Sequence, residues 1–139
     1  MTEDGNKQSL IDYLYGLRNR GSSFGIERME KIVPLLGNPH QKFPIIHVAG
    51  TNGKGSTCAM LDAIYRENGY RVGLFSSPHL VHLGERIKVD GQSMNIKEIE
   101  EYTLRIRPFA EKIEIESPGM GPTFFEFMTL MAFMVFEEK

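Results

Sequence analysis

A single cysteine, Cys58, stands in the whole chain, and one thiol excludes an intrachain disulfide and any zinc site built from several cysteines. Nothing in the cysteine usage argues for an oxidising compartment, and a cytoplasmic location is expected. A basic excess is missing too: 16 Lys and Arg against 18 Asp and Glu leave a formal net charge of -2. Nucleic acids are held by clustered positive charge that neutralises phosphates, so small molecules are the expected partners. No run approaches the ~18 to 20 uninterrupted apolar residues of a membrane span, and residues 1–6 are polar, without a basic-then-apolar leader. The expectation is a soluble protein without a membrane partner. What is present is ordinary for a globular chain: 41% hydrophobic and 24% charged residues over 139 positions, enough for one core and one domain.

Hydrophobic spacing divides the chain. Leu10, Tyr13, Leu14 and Leu17 recur at helical intervals, which predicts a short amphipathic helix over 9–17, broken by the polar stretch 18–23. Ile26, Met29, Ile32, Val33, Leu35 and Leu36 predict a second helix, bent or tightened near Pro34 and stopped at Gly37-Asn38-Pro39. The β-branched run 44–49 reads as a buried strand feeding a glycine-rich turn. A helix over 56–68 follows, with Met60, Leu61, Ile64 and Tyr65 on one face and Gly69 in the position of a C-cap. Residues 71–75 read as a second buried strand, so 45–75 has the order and size of one βαβ unit, which makes a parallel sheet.

Beyond Ser76 the chain turns irregular. Alternation around Asp90-Gly91 predicts a small hairpin or loop near 85–92. Asn95 with Glu98 three residues on resembles a capping box opening a charged helix that Pro108 is expected to kink or restart. Residues 117–122 form a linker-like turn. The segment 123–136 is apolar almost all round, the pattern of a helix buried on nearly every side. A two-strand parallel sheet is too small to cover it, so the expectation is a fragment of a larger protein, or self-association through this C-terminal apolar helix.

Gly50-Thr51-Asn52-Gly53-Lys54-Gly55-Ser56-Thr57 lies between the end of a predicted strand and the start of a helix, where a nucleotide triphosphate is held. Glycines let backbone N–H groups converge on phosphate oxygens, and the helix N-terminus adds its positive dipole end. Lys54 would bring a mobile charge to the terminal phosphates, and Ser56 or Thr57 a hydroxyl near a metal. The match to the common phosphate-loop pattern is imperfect, since Val48 replaces its first glycine and Gly55 intervenes between Lys54 and Ser56. On the pattern alone a plain strand-to-helix connector competes evenly.

With its surroundings the loop is familiar. The run from His47 through Thr57, followed by Gly69-Tyr70-Arg71-Val72-Gly73-Leu74-Phe75-Ser76-Ser77-Pro78-His79-Leu80, resembles the dihydrofolate synthase/folylpolyglutamate synthase branch of the Mur ligase superfamily, where the inserted glycine is typical. The resemblance extends from Phe24-Gly25-Ile26-Glu27-Arg28 through Glu85-Arg86-Ile87 to Pro122-Thr123-Phe124-Phe125-Glu126. It implies an α/β, P-loop NTPase-like fold with a truncated parallel sheet, strands near 45–49 and 71–76, and flanking helices. The cofactors implied are ATP and Mg2+. Gly50 through Thr57 would bind the nucleotide with Lys54 in the catalytic role, and Ser77 would be a magnesium ligand, with Ser56 beside it. Ser77 alone would otherwise read as shaping a Ser-Pro turn.

The substrate-side contacts of the family match Ser23, Phe24, Gly25 and Ile26 with Thr123, Phe124, Phe125 and Glu126, which offer stacking surface and hydrogen-bonding groups to a pterin. Ser23 is often acidic in the family. A plainer reading gives Glu126 an arginine partner, and Thr129 is expected to bond back to its own helix. Glu85 and Arg86 match a recurring pair in a loop beside the active site, with a solvated surface as the structural alternative. His40, His47, His79 and His82 lack zinc spacing; His47 reads as a satisfied core histidine and Cys58 as a small packing residue.

The reaction implied is ATP-dependent amide formation: a carboxylate of dihydropteroate or a folate becomes an acyl phosphate, which the amine of L-glutamate attacks. In the family a following strand, a downstream histidine and a C-terminal domain complete the site, and none of these is present. Residues 1–139 are therefore expected to be the N-terminal part of an ATP-binding Mur-ligase-type domain, inactive by itself. The rivals are another P-loop enzyme, such as a small kinase, and a catalytically silent nucleotide-binding or assembly fragment.

Overall fold

The computed structural model describes residues 3–20, 26–49, 53–76 and 83–139. The helices are α1 (Glu3–Gly16), α2 (Glu27–Ile32), α3 (Lys54–Glu67), α4 (Ile96–Glu116) and α5 (Phe124–Glu138). Three short strands, β1 (Gly73–Phe75), β2 (Ile87–Val89) and β3 (Gln92–Ser93), form one sheet in the order β1-β2-β3. Tight helical turns at Leu17–Arg20, Val33–Leu36, Pro39–Gln41 and Leu83–Arg86 join the elements.

α5 is the centre of the molecule. Phe127, Met128, Leu130 and Met131 are fully buried, because α1, α4, β1 and two of the tight turns pack around the helix. Its apolar composition is thus largely satisfied within the chain, as the sequence pattern of a helix buried on nearly every side predicts. Phe125, 55% exposed, is the exception on its open side. Leu14 of α1, Ile32 of α2, and Ile99 and Ile106 of α4 close the same core.

Local chemistry sets the helix ends. The Asn95 carboxamide accepts from Glu98 N at 2.8 Å while Glu98 Oε1 accepts from Asn95 N at 3.2 Å, the reciprocal cap expected from the sequence. Thr123 and Glu126 do the same for α5, at 3.3 and 2.9 Å. Pro108 does not restart α4, which runs without interruption through it. Proline there leaves the Leu104 carbonyl without its helical donor, but Leu104 is 57% exposed, so water can supply the bond.

The hairpin at 85–92 is confirmed. Asp90 and Gly91 take φ of 50° and 83°, the pair of left-handed residues that matches a two-residue turn to strand twist. Val89 is opposite Gln92, and Asp90 Oδ1 accepts from Val72 N at 2.7 Å, tying the turn to the approach of β1.

The sheet corrects part of the sequence reading. The α/β class holds, but β1 pairs antiparallel with β2, through Gly73↔Val89, Leu74↔Lys88 and Phe75↔Ile87. The predicted strand at 45–49 takes no regular secondary structure, and Ile45 and Ile46 are 52% and 60% exposed. A cleft of about 800 Å³ lies between residues 43–48, β1 and the open side of α5. Among the described residues no strand fills that space, so the backbone of 45–49 has no partner there for a parallel ladder. His47, expected in the core, is exposed for the same reason. Among the described residues no helix is long and apolar enough to cross a membrane.

Candidate nucleotide and substrate site

The described part of the phosphate loop begins at Gly53, whose φ of 76° is open to glycine at little cost. That conformation starts α3 at Lys54, and Thr57 N donates to Gly53 O at 3.0 Å as the first helical bond. Gly53, the N-cap residue, has no side chain with which to cap this end of α3. The N–H groups of Lys54, Gly55 and Ser56 thus lack intrahelical acceptors, and residues 53–57 are exposed. This arrangement can receive an anion, with the Lys54 ammonium and the Ser56 and Thr57 hydroxyls beside it. Gly50, Thr51 and Asn52 lie outside the described residues.

α3 returns through Gly69, at φ 88°, into β1. The helix's N-terminus and the strand's C-terminal end therefore face the same side of the sheet. Ser76 closes β1 by donating its N–H to Arg86 O at 2.9 Å. Ser77, the expected magnesium ligand, lies outside the described residues, as do His79 and His82. Among the described residues no three His, Cys, Asp or Glu converge on a point that could hold a metal. The Ser56 hydroxyl is a single hard donor, a set that fits magnesium held chiefly through phosphate oxygens and water. Cys58 is half-buried on the wall of the cleft.

The two expected substrate stretches come together, although Ser23, Phe24 and Gly25 lie outside the described residues. Ile26 is 67% exposed. Two residues on, Arg28 Nε donates to Glu126 Oε1 at 2.8 Å, with the two side chains only 9% and 11% exposed. The bond to Glu126 raises the Arg28 guanidinium above its ordinary pKa, against the opposing effect of burial. Glu126 Oε1 also accepts from Thr123 N. Both Thr123 and Glu126 thus have structural duties in the cap and the ion pair. Thr129 donates to Phe125 O at 2.8 Å, the back-bond expected.

The two phenylalanines diverge. Phe125 faces the cleft with its ring 5.9 Å from that of Phe75, an exposed aromatic edge at the end of β1. Phe124 is buried, stacked on Tyr15 at 6.0 Å and 15°. The guanidinium carbons of Arg86 and Arg18 lie 5.2 and 5.7 Å from the Phe124 centroid. Arg86 is 8% exposed, which overturns the solvated-surface alternative for it. Burial first, and the charge of Arg18 second, lower its guanidinium from the ordinary value. Sequence reasoning missed Arg18 and Tyr15. Both belong to the end of α1 and its following turn, and only the long-range packing on α5 brings them here.

No protein-family model matches this chain. It is 37% identical over 131 residues to the dihydrofolate synthase/folylpolyglutamate synthase of Bacillus subtilis, covering 94% of this chain and 30% of that protein. Among solved structures, the folylpolyglutamate synthase of Thermotoga maritima superposes with a TM-score of 0.87 at 33% identity, over 99% of this chain and 31% of that one. The Mycobacterium tuberculosis folylpolyglutamate synthase complexed with ADP gives 0.86 at 32%, over 96% and 30%. The chain thus spans about 30% of the length of each of these three relatives.

Proposed function

We propose, for a chain that belongs to the dihydrofolate synthase/folylpolyglutamate synthase family and matches about 30% of its relatives' length, that it is the N-terminal part of an ATP-dependent ligase joining L-glutamate to dihydropteroate or folates. The observation that carries the reading is the glycine N-cap at the start of α3. Gly53 at φ 76° exposes three backbone N–H groups beside Lys54, on the side of the sheet where β1 ends.

In this reading the N–H groups and Lys54 hold the β- and γ-phosphates of ATP and stabilise charge on the phosphoryl group in transit. A substrate carboxylate oxygen forms a bond to the γ-phosphorus as the bond to ADP breaks. The glutamate amine then attacks the acyl carbon, losing a proton as inorganic phosphate leaves. Magnesium, when bound near Ser56 and Ser77, would neutralise phosphate charge. The exposed Phe125 edge and Ile26, with Thr123 and Phe124 behind them, supply the pterin side. A cytoplasmic setting accords with these small-molecule partners.

A second reading, a catalytically silent nucleotide-binding fragment, is favoured by one observation: among the described residues no acidic cluster stands ready to complete a metal site. The two readings share the loop and differ in turnover. Calorimetric titration of magnesium-ATP into this chain, beside Lys54→Ala, tests the loop. Binding that disappears in the variant supports the proposal, and equal binding by both overturns the role given to Lys54. Glutamate incorporation assayed with the remaining portion of a relative supplied in trans separates ligase half from silent fragment.

A further inference from the structure

α3 carries an acid and a base about one turn apart, Asp62 and Arg66, and that spacing puts both on one face of the helix. Asp62 is 6% exposed, and Arg66 Nε lies 3.2 Å from its Oδ1. The contact is one of charge, since among the described residues Oδ1 makes no aligned hydrogen bond. A buried carboxylate is costly without a cation, so Asp62 keeps the guanidinium at hand and restricts where it points. It points to the hairpin. A Cβ added at Gly91 would lie 3.0 Å from Arg66 Nη1 and 3.3 Å from its Cζ, so the planar group rests directly against the backbone of the turn. Gly91 is thus required twice, by its φ of 83° and by the arginine lying against it. The same turn is tied to the chain that leaves α3. Asp90 N donates to Val72 O at 2.8 Å and Asp90 Oδ1 accepts from Val72 N at 2.7 Å.

We propose that Asp62 and Arg66 act as a strut between α3 and the hairpin, so that a ligand steadying the first turn of α3 also steadies residues 87–93. The inference rests on the nucleotide site of the proposed function and adds to it a route from the nucleotide side to the substrate side. Lys54 and Arg66 belong to one helix, whose hydrogen-bonded ladder carries order from its first turn to its last. Beyond the helix the guanidinium, held at Nε, makes a short rigid bridge to the turn; a flexible stem ending in a point charge would not cover Gly91 in the same way. From the turn β2 runs back to Ile87, and the residue before it, Arg86, has its guanidinium carbon 5.2 Å from the Phe124 centroid. Asp62 and Arg66 are positioning residues in this scheme and touch no substrate.

The test is amide hydrogen exchange of the whole 139-residue chain, read by NMR with and without magnesium-ATP, beside Arg66→Met, Arg66→Lys and the double variant Asp62→Asn/Arg66→Met. The double variant leaves no buried charge stranded, which guards against a loss of folding in the single one. The informative amides are those of Asp90, bonded to Val72 O, and Met94, bonded to Ile87 O. Magnesium-ATP should slow both about fivefold in the native chain, the size of coupling found between neighbouring groups. In Arg66→Met and in the double variant α3 should still slow while the hairpin no longer responds, and Arg66→Lys should keep part of the response. A pair that merely stabilises the fold would speed hairpin exchange equally in the free and the bound chain and leave their ratio intact, which would overturn the inference. So would a native hairpin that ignores magnesium-ATP while α3 slows, or variants in which α3 itself ceases to respond. No slowing of α3 in the native chain defeats the nucleotide reading, and the strut with it.

Discussion

Arg28 and Glu126, separated by 98 residues, share a 2.8 Å hydrogen-bonded ion pair in the interior of the molecule. The pair fastens the start of α2 to the first turn of α5, and so fixes the two expected substrate stretches against each other. Removing one partner strands a buried charge, at a cost of about 3 kcal/mol. Urea unfolding of Arg28→Met, of Glu126→Leu and of the double variant checks this. Each single change should lower the midpoint markedly, and the double variant should be more stable than the sum of the singles implies. Strict additivity would mean that the two side chains do not interact.

Gly73 places β1 directly on α5. A Cβ added there would come within 2.3 Å of the Phe136 ring, closer than any packing tolerates. Gly73→Ala should cost about 1 to 3 kcal/mol of stability, as overpacking does. Phe136→Leu in the same chain should recover part of the loss. Denaturant melts of the single and double variants read the coupling, and an unaltered Gly73→Ala midpoint would show that the contact yields freely.

Tyr102 gives a pH signature. Burial, and then the negative charge of Glu138, push its phenol up to about 12, while the Tyr102 hydroxyl donates to Glu138 Oε1 at 3.2 Å. A pKa raised on folding contributes stability that is fully present below the unfolded value, about 10. That stability is lost as pH rises through the folded value. Between about 10 and about 12 the native chain should therefore lose stability more steeply than Tyr102→Phe. On the acid side Glu138, lowered chiefly by the hydrogen bond from Arg105, contributes in the opposite sense. Its share is present above the unfolded carboxylate value and fades as pH falls through the folded one. Stability profiles of the native chain, Tyr102→Phe and Glu138→Gln separate the two contributions.

How far the sequence reveals all this depends on the range of the interaction. The caps at Asn95 and Thr123 act within three residues, and the Asp90-Gly91 turn within two. The first cap and the turn are legible directly from residue types. The second is hidden in a stretch that reads as a ligand contact, because the same Thr and Glu serve both descriptions. The β-branched run 44–49 advertises burial, but burial needs a neighbour, and here a cleft occupies that place. Nor does a local pattern foretell that Arg18, Tyr15 and Arg86 would meet over Phe124. That meeting depends on how α1 and the turn before β2 pack on α5. Pro108 misleads in the other direction, since an exposed helix face absorbs the missing hydrogen bond.

At the loop, Gly53→Ala forces an L side chain into left-handed backbone at φ 76°, a strain of about 1 kcal/mol. The first turn of α3 should fray, and magnesium-ATP binding should weaken several-fold with little change in the global melt. Calorimetry and circular dichroism together check both halves of that expectation. A variant that binds as the native chain does would show that the turn needs no left-handed residue.

That separation between local and global effects follows from the way α3 is set. Asp62 is the one buried residue of the helix, Met60 and Ile64 are 60% and 57% exposed, and the helix packs chiefly on the three-residue strand β1. Amide hydrogens of α3 should therefore exchange through local openings, far sooner than those of α5, which wait for global unfolding. The nucleotide would meet a helix whose first turn it has to steady. Part of the free energy of its contacts then goes into ordering, and the apparent affinity of the isolated chain falls below what the same contacts yield on a rigid support. Slower exchange along α3 on adding magnesium-ATP would measure that ordering directly, and would make the helix of the proposed phosphate site the part of the molecule most responsive to its ligand.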